Sequence, residues 1–173
     1  EDGILISGPD SGEQACGEIG LGRLISFESM MLDINKAISH QIFSNKKILI
    51  SSGATLEKID EARAITNLSS GLMGLSLAKA AYVMGANVTV ISGQSNYEFP
   101  SNIKTIKAID HESMYQSVIY NIEENDIYIS AAAISDYKPS YIKGKLKKES
   151  EKVSLELKKT KDILSYVGKH FNQ

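Results

Sequence analysis

KILIS, residues 47–51, is a short run of branched apolar residues bounded by Lys46 and by Ser52-Gly53. It shows no alternation of apolar and polar positions, so it predicts a strand covered on both faces. NVTVIS at 87–92 and DIYIS at 126–130 read the same way, and KTIKA at 104–108 is a weaker version. Helical stretches lie between them. Residues 71–84 are apolar almost all round and stop at Gly85. Residues 111–124 place Met114, Val118 and Ile122 on one face behind Asp110, a natural cap. Residues 162–170 predict a last helix, and VSLEL at 153–157 alternates, as a half-exposed antiparallel strand does. The alternation of strand and helix predicts an α/β fold: Rossmann-like, doubly wound, with a mostly parallel sheet and helices on both faces.

The connection after KILIS is unusual. A dinucleotide fold leaves its first strand through a tight G-x-G-x-x-G turn. Here the strand ends at Ser51, the helix starts near Gly71, and Gly53 is the only glycine before it. A long first strand-to-helix loop inside a compact domain usually carries function. This loop leaves the carboxyl end of a parallel strand, where open α/β sheets bind ligands. The helix after it begins with free N–H groups and a positive dipole end. Ser69, Ser70 and Gly71 let a phosphate come close to those groups. Equally, Ser69 or Ser70 serves as a plain helix cap, and the two roles are compatible. Asn67 reads first as a turn residue, because Asn tolerates left-handed backbone. Asn67-Leu68-Ser69 also matches a glycosylation acceptor, a modification that needs a secreted chain.

Bulk properties argue against that last reading. The 173 residues are 42% hydrophobic, carry a net charge of −2 and include one cysteine, Cys16. No intrachain disulfide can form, which fits a reducing, cytoplasmic compartment. The near-neutral charge speaks against a nucleic-acid partner. No apolar run approaches the roughly 18 residues of a membrane span, and no basic leader is visible. Residues 1–45 differ from the rest: an apolar stretch at 4–7, a Gly-rich loop, and a helical pattern over 27–43. The division expected is therefore 1–45 as an appendage with its linker, and 46–173 as the main domain.

The long loop also carries an ordered set of motifs. Gly53-Ala54-Thr55, Ile59-Asp60, Arg63, Ile65-Thr66-Asn67, Ser69-Ser70-Gly71 and Met73-Gly74 resemble phosphopantothenoylcysteine synthetase. The resemblance continues through 85–93, Ala131-Ala132-Ala133-Ile134-Ser135-Asp136-Tyr137-Lys138-Pro139, Lys145-Leu146-Lys147-Lys148 and 159–164. Residues 9–23, with Gln14-Ala15-Cys16-Gly17, resemble the end of the flavin-dependent phosphopantothenoylcysteine decarboxylase that precedes the synthetase in bacterial bifunctional proteins. The chain departs from the pattern at Ala54, Leu56, Lys58, Leu72 and Lys161. The family pattern continues beyond Gln173, so the resemblance implies a C-terminally incomplete domain.

By that resemblance the chain is a CTP-dependent ligase of coenzyme A biosynthesis. It would join 4'-phosphopantothenate to cysteine through an acyl-cytidylate, with CTP and Mg²⁺. The resemblance implies Asn67 and Lys145 as catalytic residues. Gly53, Ser69, Ser70, Gly71, Ala132, Asp136 and Lys145 would bind nucleotide, Arg63 and Asn67 would bind substrate, and no residues form a protein metal site. Asn67 would hold an acyl oxygen as charge develops there. Cys16 would be the remnant of the decarboxylase acid. The FMN of that enzyme would belong to a part outside these residues, so no decarboxylase activity is expected. The resemblance further implies a homodimer through the synthetase domain and a higher oligomer for the full bifunctional protein. Each role has a plainer counterpart. Asp136 suits a turn, Lys145 sits in a charged run that would pass as solvated surface, and a lone Cys16 is more often inert. The alternatives are a non-catalytic nucleotide-binding module and an NAD(P)-binding Rossmann oxidoreductase, which the missing glycine turn disfavours.

Overall fold

The structure, a computed structural model, describes residues 3–14, 16–147 and 151–171. A hairpin of β1 (Asp10–Glu13) and β2 (Ile19–Arg23) leads into α1 (Phe27–Ile38). Then follow β3 (Lys47–Ser52), a short hairpin of β4 (Leu56–Lys58) and β5 (Ala64–Thr66), and α2 (Leu72–Val83). The chain continues through β6 (Asn87–Ser92), β7 (Lys104–Lys107), α3 (His111–Ile122) and β8 (Ile127–Ser130). It closes with β9 (Tyr137–Pro139), β10 (Leu157–Lys159) and α4 (Ile163–His170).

The central sheet is parallel throughout, in the order β7-β6-β3-β8. The expected α/β architecture is what the chain adopts. Ile48 and Ile50 turn to one face and pack with Val88 and Val90 against Ala78 and Ala81 of α2. Leu49 and Ile91 turn to the other and meet Met114, Val118 and Ile122 of α3 and Ile163 and Val167 of α4. Both faces are covered, which is why these strands carry apolar runs and not alternation. Each fully buried aliphatic side chain contributes about 2 kcal/mol. Asp110 caps α3 in a reciprocal box with Ser113, and Asp162 caps α4 through Ser165 N–H. The chain runs from β3 through β6 to β7 on one side, then crosses to β8 on the other. The carboxyl ends of β3 and β8 therefore flank a topological switch point, where folds of this type place ligands.

Four local expectations change. The helix expected over 27–43 ends at Ile38, because Gln41 turns its amide onto the Ser39 and Lys36 carbonyls and the Val83 carbonyl at the end of α2. The strand expected at 153–157 forms at Leu157–Lys159, where the three residues of β9 supply a partner. The 53–70 connection is partly ordered by the β4–β5 hairpin. The hairpin of β1 and β2, within the residues read as a Gly-rich loop, had no clear alternation to announce it.

Helix α1 packs on α2. Asp33 accepts from the Tyr82 hydroxyl at 2.6 Å and from Asn102 Nδ2 at 2.8 Å, which also donates to the Ser29 carbonyl. Burial and the Asp33 carboxylate push the Tyr82 hydroxyl up to about 12. Among the described residues no helix is long and apolar enough to cross a membrane.

Candidate functional site

The exits of three parallel strands are laced together by backbone. After β3 the chain turns at Gly53, whose φ is +85° and whose missing Cβ would lie 2.5 Å from the Gln94 carbonyl oxygen. Only glycine makes that turn at such close range. Ala54 then bridges both neighbours: its N–H donates to Gln94 O at 2.9 Å, and Gln94 N–H returns to Ala54 O at 2.8 Å. On the other side Ala133 N–H donates to Gly53 O at 2.8 Å and Thr55 N–H to Ala133 O at 3.2 Å. Thr55 is fully buried, donating to Ser135 Oγ at 3.1 Å and accepting from Ser135 N–H at 2.9 Å.

Asn67 follows β5 and donates through Nδ2 to the Ala133 carbonyl at 2.9 Å. That bond spends one amide proton on the frame. It leaves Oδ1 and the second proton without a partner among the described residues. Ser69 Oγ accepts from Gly71 N–H at 3.4 Å and Ser70 Oγ from Leu72 N–H at 3.3 Å, both long bonds. Ser70 O is held by Asn96 N–H at 3.1 Å and by Ser95 Oγ at 3.2 Å. Gly71 has φ +79°, and a Cβ there would lie 2.5 Å from Ser95 Oγ. Helix α2 starts at this glycine with no side chain capping it and no acid in its first turn. Its first N–H groups and positive dipole end have no intrahelical acceptor. Just ahead of them, Ser69 and Ser70 line a cleft of about 360 Å³ together with Ala54, Thr66, Asn67, Leu68, Gln94 and Asn96, a wall that stops one residue short of Gly71.

The remaining expected residues stand apart from this cleft wall. Ala132 is half-buried and packs toward the α3–α4 core. Asp136 is exposed, its carbonyl holding Thr160 N–H at 2.9 Å. Arg63 is committed within the chain: Nε donates to Asp60 Oδ2 at 3.1 Å, and Nη2 donates to the same oxygen and to Leu146 O, the latter at 2.9 Å. The Arg63 guanidinium and the Leu146 amide hold the Asp60 carboxyl well below the usual carboxylate range. Lys145 is exposed beside Leu146, whereas Lys148 and Glu149 of the expected charged run lie outside the described residues. Cys16 is exposed in the β1–β2 turn, with Sγ 3.9 Å from Gln14 Oε1. Among the described residues no group of three or more His, Cys, Asp or Glu could hold a metal ion.

Several site-forming residues carried no assigned role in the sequence reading: Asp60, Gln94, Ser95, Asn96 and Ala133. Asp60 was visible only as a member of a motif. Gln94, Ser95 and Asn96 follow the second strong strand, and their place on a strand exit was the available signal.

Comparison with known proteins decides the family. A family model described as the DNA/pantothenate metabolism flavoprotein C-terminal domain matches residues 43–173. The coenzyme A biosynthesis bifunctional protein CoaBC of Vibrio vulnificus (strain YJ016) is 40% identical over 169 residues, 96% of this chain and 42% of that protein. The Escherichia coli (strain K12) protein of the same name is 34% identical over 174 residues, again 96% and 42%. The chain thus spans under half the length of these relatives. The solved C-terminal domain of CoaBC superposes with a TM-score of 0.66 at 35% identity, covering 75% of this chain and 61% of that one. The DNA/pantothenate metabolism flavoprotein from Streptococcus pneumoniae gives 0.64 at 26% identity, covering 72% and 64%.

These matches overturn part of the sequence reading. The matched family is described as a flavoprotein domain, and the relatives' names give coenzyme A biosynthesis without a CTP-dependent ligation. The identification of 46–173 as phosphopantothenate–cysteine ligase, with its acyl-cytidylate, is corrected accordingly. CTP and Mg²⁺ gain no support, and neither do the nucleotide-module and NAD(P) alternatives. The flavoprotein description agrees with FMN as a cofactor of the whole protein. The α2 cleft does not fit the flavin ring, because its wall carries no aromatic side chain and sets Ala54 and Leu68 among amides and hydroxyls. In the adjoining hollow Phe99 is packed into the core, leaving Tyr97 as its sole free ring. FMN is therefore assigned to no residue described here. With the family match covering most of its length and these relatives spanning nearly all of it, this chain belongs to the DNA/pantothenate metabolism flavoprotein C-terminal domain family.

Proposed function

We propose that this domain serves coenzyme A biosynthesis by holding a phosphorylated small molecule of the 4'-phosphopantothenate type in the cleft at the start of α2. The supporting observation is the start of α2, where Ser69 and Ser70 line the cleft and their hydroxyls hold Gly71 and Leu72 N–H only by long bonds of 3.4 and 3.3 Å. Free N–H groups, a positive dipole end and small hydroxyl side chains are what a phosphate ester needs. Asn67, braced on Ala133, presents its remaining amide groups to an acyl or amide oxygen of the ligand. Lys145, outside the cleft wall, meets a part of the ligand that reaches beyond it, and Arg63 acts on Lys145's segment, whereas Ala132 packs toward the core and Asp136 stands apart. Cys16 has no part in this cleft. A cytoplasmic setting accords with the single cysteine and the biosynthetic role of the relatives. Exposed Leu68, Leu72 and Met73 support self-association as a homodimer, which a native-mass measurement tests.

Titration calorimetry with 4'-phosphopantothenate and with pantothenate tests the central reading. The phosphate ester should bind at least about tenfold more tightly. Ser70→Glu should abolish that preference without loss of stability, because an acid favours the helix start while repelling a phosphate. Equal binding of the two compounds would overturn the reading.

A further inference from the structure

The far end of the β4–β5 hairpin is organised by one carboxylate. Asp60, 1% exposed, accepts at Oδ1 from Ala62 N–H and Arg63 N–H, both at 2.8 Å. Its Oδ2 accepts from the Arg63 side chain and, across 86 residues of sequence, from Leu146 N–H at 2.9 Å. Arg63 closes the loop by donating to Leu146 O. Two backbone bonds lie beside it, Ile142 N–H to Ile59 O at 2.8 Å and Glu61 N–H to Gly144 O at 3.3 Å. The segment so held alternates: Lys143, Lys145 and Lys147 are exposed, and Gly144 and Leu146 are half-buried. The chain bends at Lys143 and Gly144, where φ is +80°, and beyond the bend Lys145 and Lys147 face outward on either side of Leu146. None of the three lysines has an ion-pair partner among the described residues.

We propose that Asp60 is a positioning residue for the lysine segment: it joins Leu146 to Arg63 and so fixes Lys145 and Lys147 on the outward face. Arg63 alone does not suffice, because its side chain is 47% exposed and gains its direction from the buried acid. Asp60 needs both oxygens as acceptors, one for the hairpin turn and one for Leu146. An amide at this position has only one acceptor oxygen. That the lysines meet the anionic part of a ligand rests on the function proposed above.

Hydrogen exchange and binding on Asp60→Asn test the proposal. Exchange at the Leu146 amide should quicken at least about tenfold, and trypsin should cut after Lys145 and Lys147 faster by a similar factor. Affinity for 4'-phosphopantothenate should fall, and Lys145→Ala should weaken binding in the native background yet add little to Asp60→Asn. A merely structural acid would leave the two losses additive. Additive losses, or unchanged exchange at Leu146, overturn the proposal. If the native chain binds no 4'-phosphopantothenate, the cleft reading fails and exchange at Leu146 alone decides the role of Asp60. Should Asp60→Asn not fold, Arg63→Lys, which keeps the charge and loses the fork, must show the same loosening or the proposal falls.

Discussion

The two ends of the β4–β5 hairpin are held in different ways. At the near end Gly53, Ala54 and Thr55 exchange backbone hydrogen bonds with the exits of both β6 and β8, and Thr66 Oγ1 donates to Thr55 O at 2.8 Å. At the far end the turn and the lysine segment converge on Asp60. The near end is set by the sheet and is redundant. The far end is tied through the Asp60 and Arg63 side chains beside two backbone bonds, so a substitution at Asp60 can loosen it while the sheet stays intact. The cleft wall therefore behaves as rigid scaffold, and the lysine segment as its adjustable part.

The comparison can be broken most severely at Gly53. Gly53→Ala puts a methyl against the Gln94 carbonyl in a left-handed backbone, and should cost about 3 kcal/mol in urea unfolding. A loss well under about 1 kcal/mol would show that the near end yields as readily as the far one. Asn67→Ala removes one bond to Ala133 from a network that keeps its backbone bonds. It should cost about 1 kcal/mol by the same measurement. A sharper contrast comes from pH. The Asp60 carboxyl is held low in the folded chain, so its contribution is present above the unfolded value near about 3.9. That contribution is lost only as pH falls through the lowered folded value. Protection of the Leu146 amide, corrected for intrinsic exchange, should therefore persist on acidification to about pH 4. The smallest effect is expected outside the hairpin. Tyr82 is raised by burial and by Asp33, so its contribution is whole below about pH 10 and disappears as pH rises through about 12. Tyr82→Phe should lower the urea midpoint slightly at pH values near neutral, with the gap closing as the solution approaches that alkaline limit.

Much of the frame was legible before the fold was known. The runs beginning at Lys47 and Asn87 form the two central strands, and Asp110 and Asp162 cap the helices they precede. Ser69, Ser70 and Gly71 stand at the start of α2, where the sequence placed a helix start. The resemblance to a CTP-dependent synthetase gave way to membership of a flavoprotein C-terminal domain family, because matching motifs named residues without fixing the chemistry they perform. Arg63 has partners within the chain that its place in a motif did not announce. Its fork faces Asp60 and Leu146, and the second partner is distant in sequence.

By itself the sequence determined the parallel strands, the helix starts, and the small-residue approach to α2. All of these follow from neighbours a few residues apart, through burial periodicity and local hydrogen bonding. The tertiary structure decided that Asn67 leans on Ala133, that Ala54 ties together three strand exits, and that Asp60 holds Leu146. Those pairs stand tens of residues apart in the chain. No local pattern encodes them, because a carboxylate or an amide can serve any donor or acceptor that the topology brings within reach.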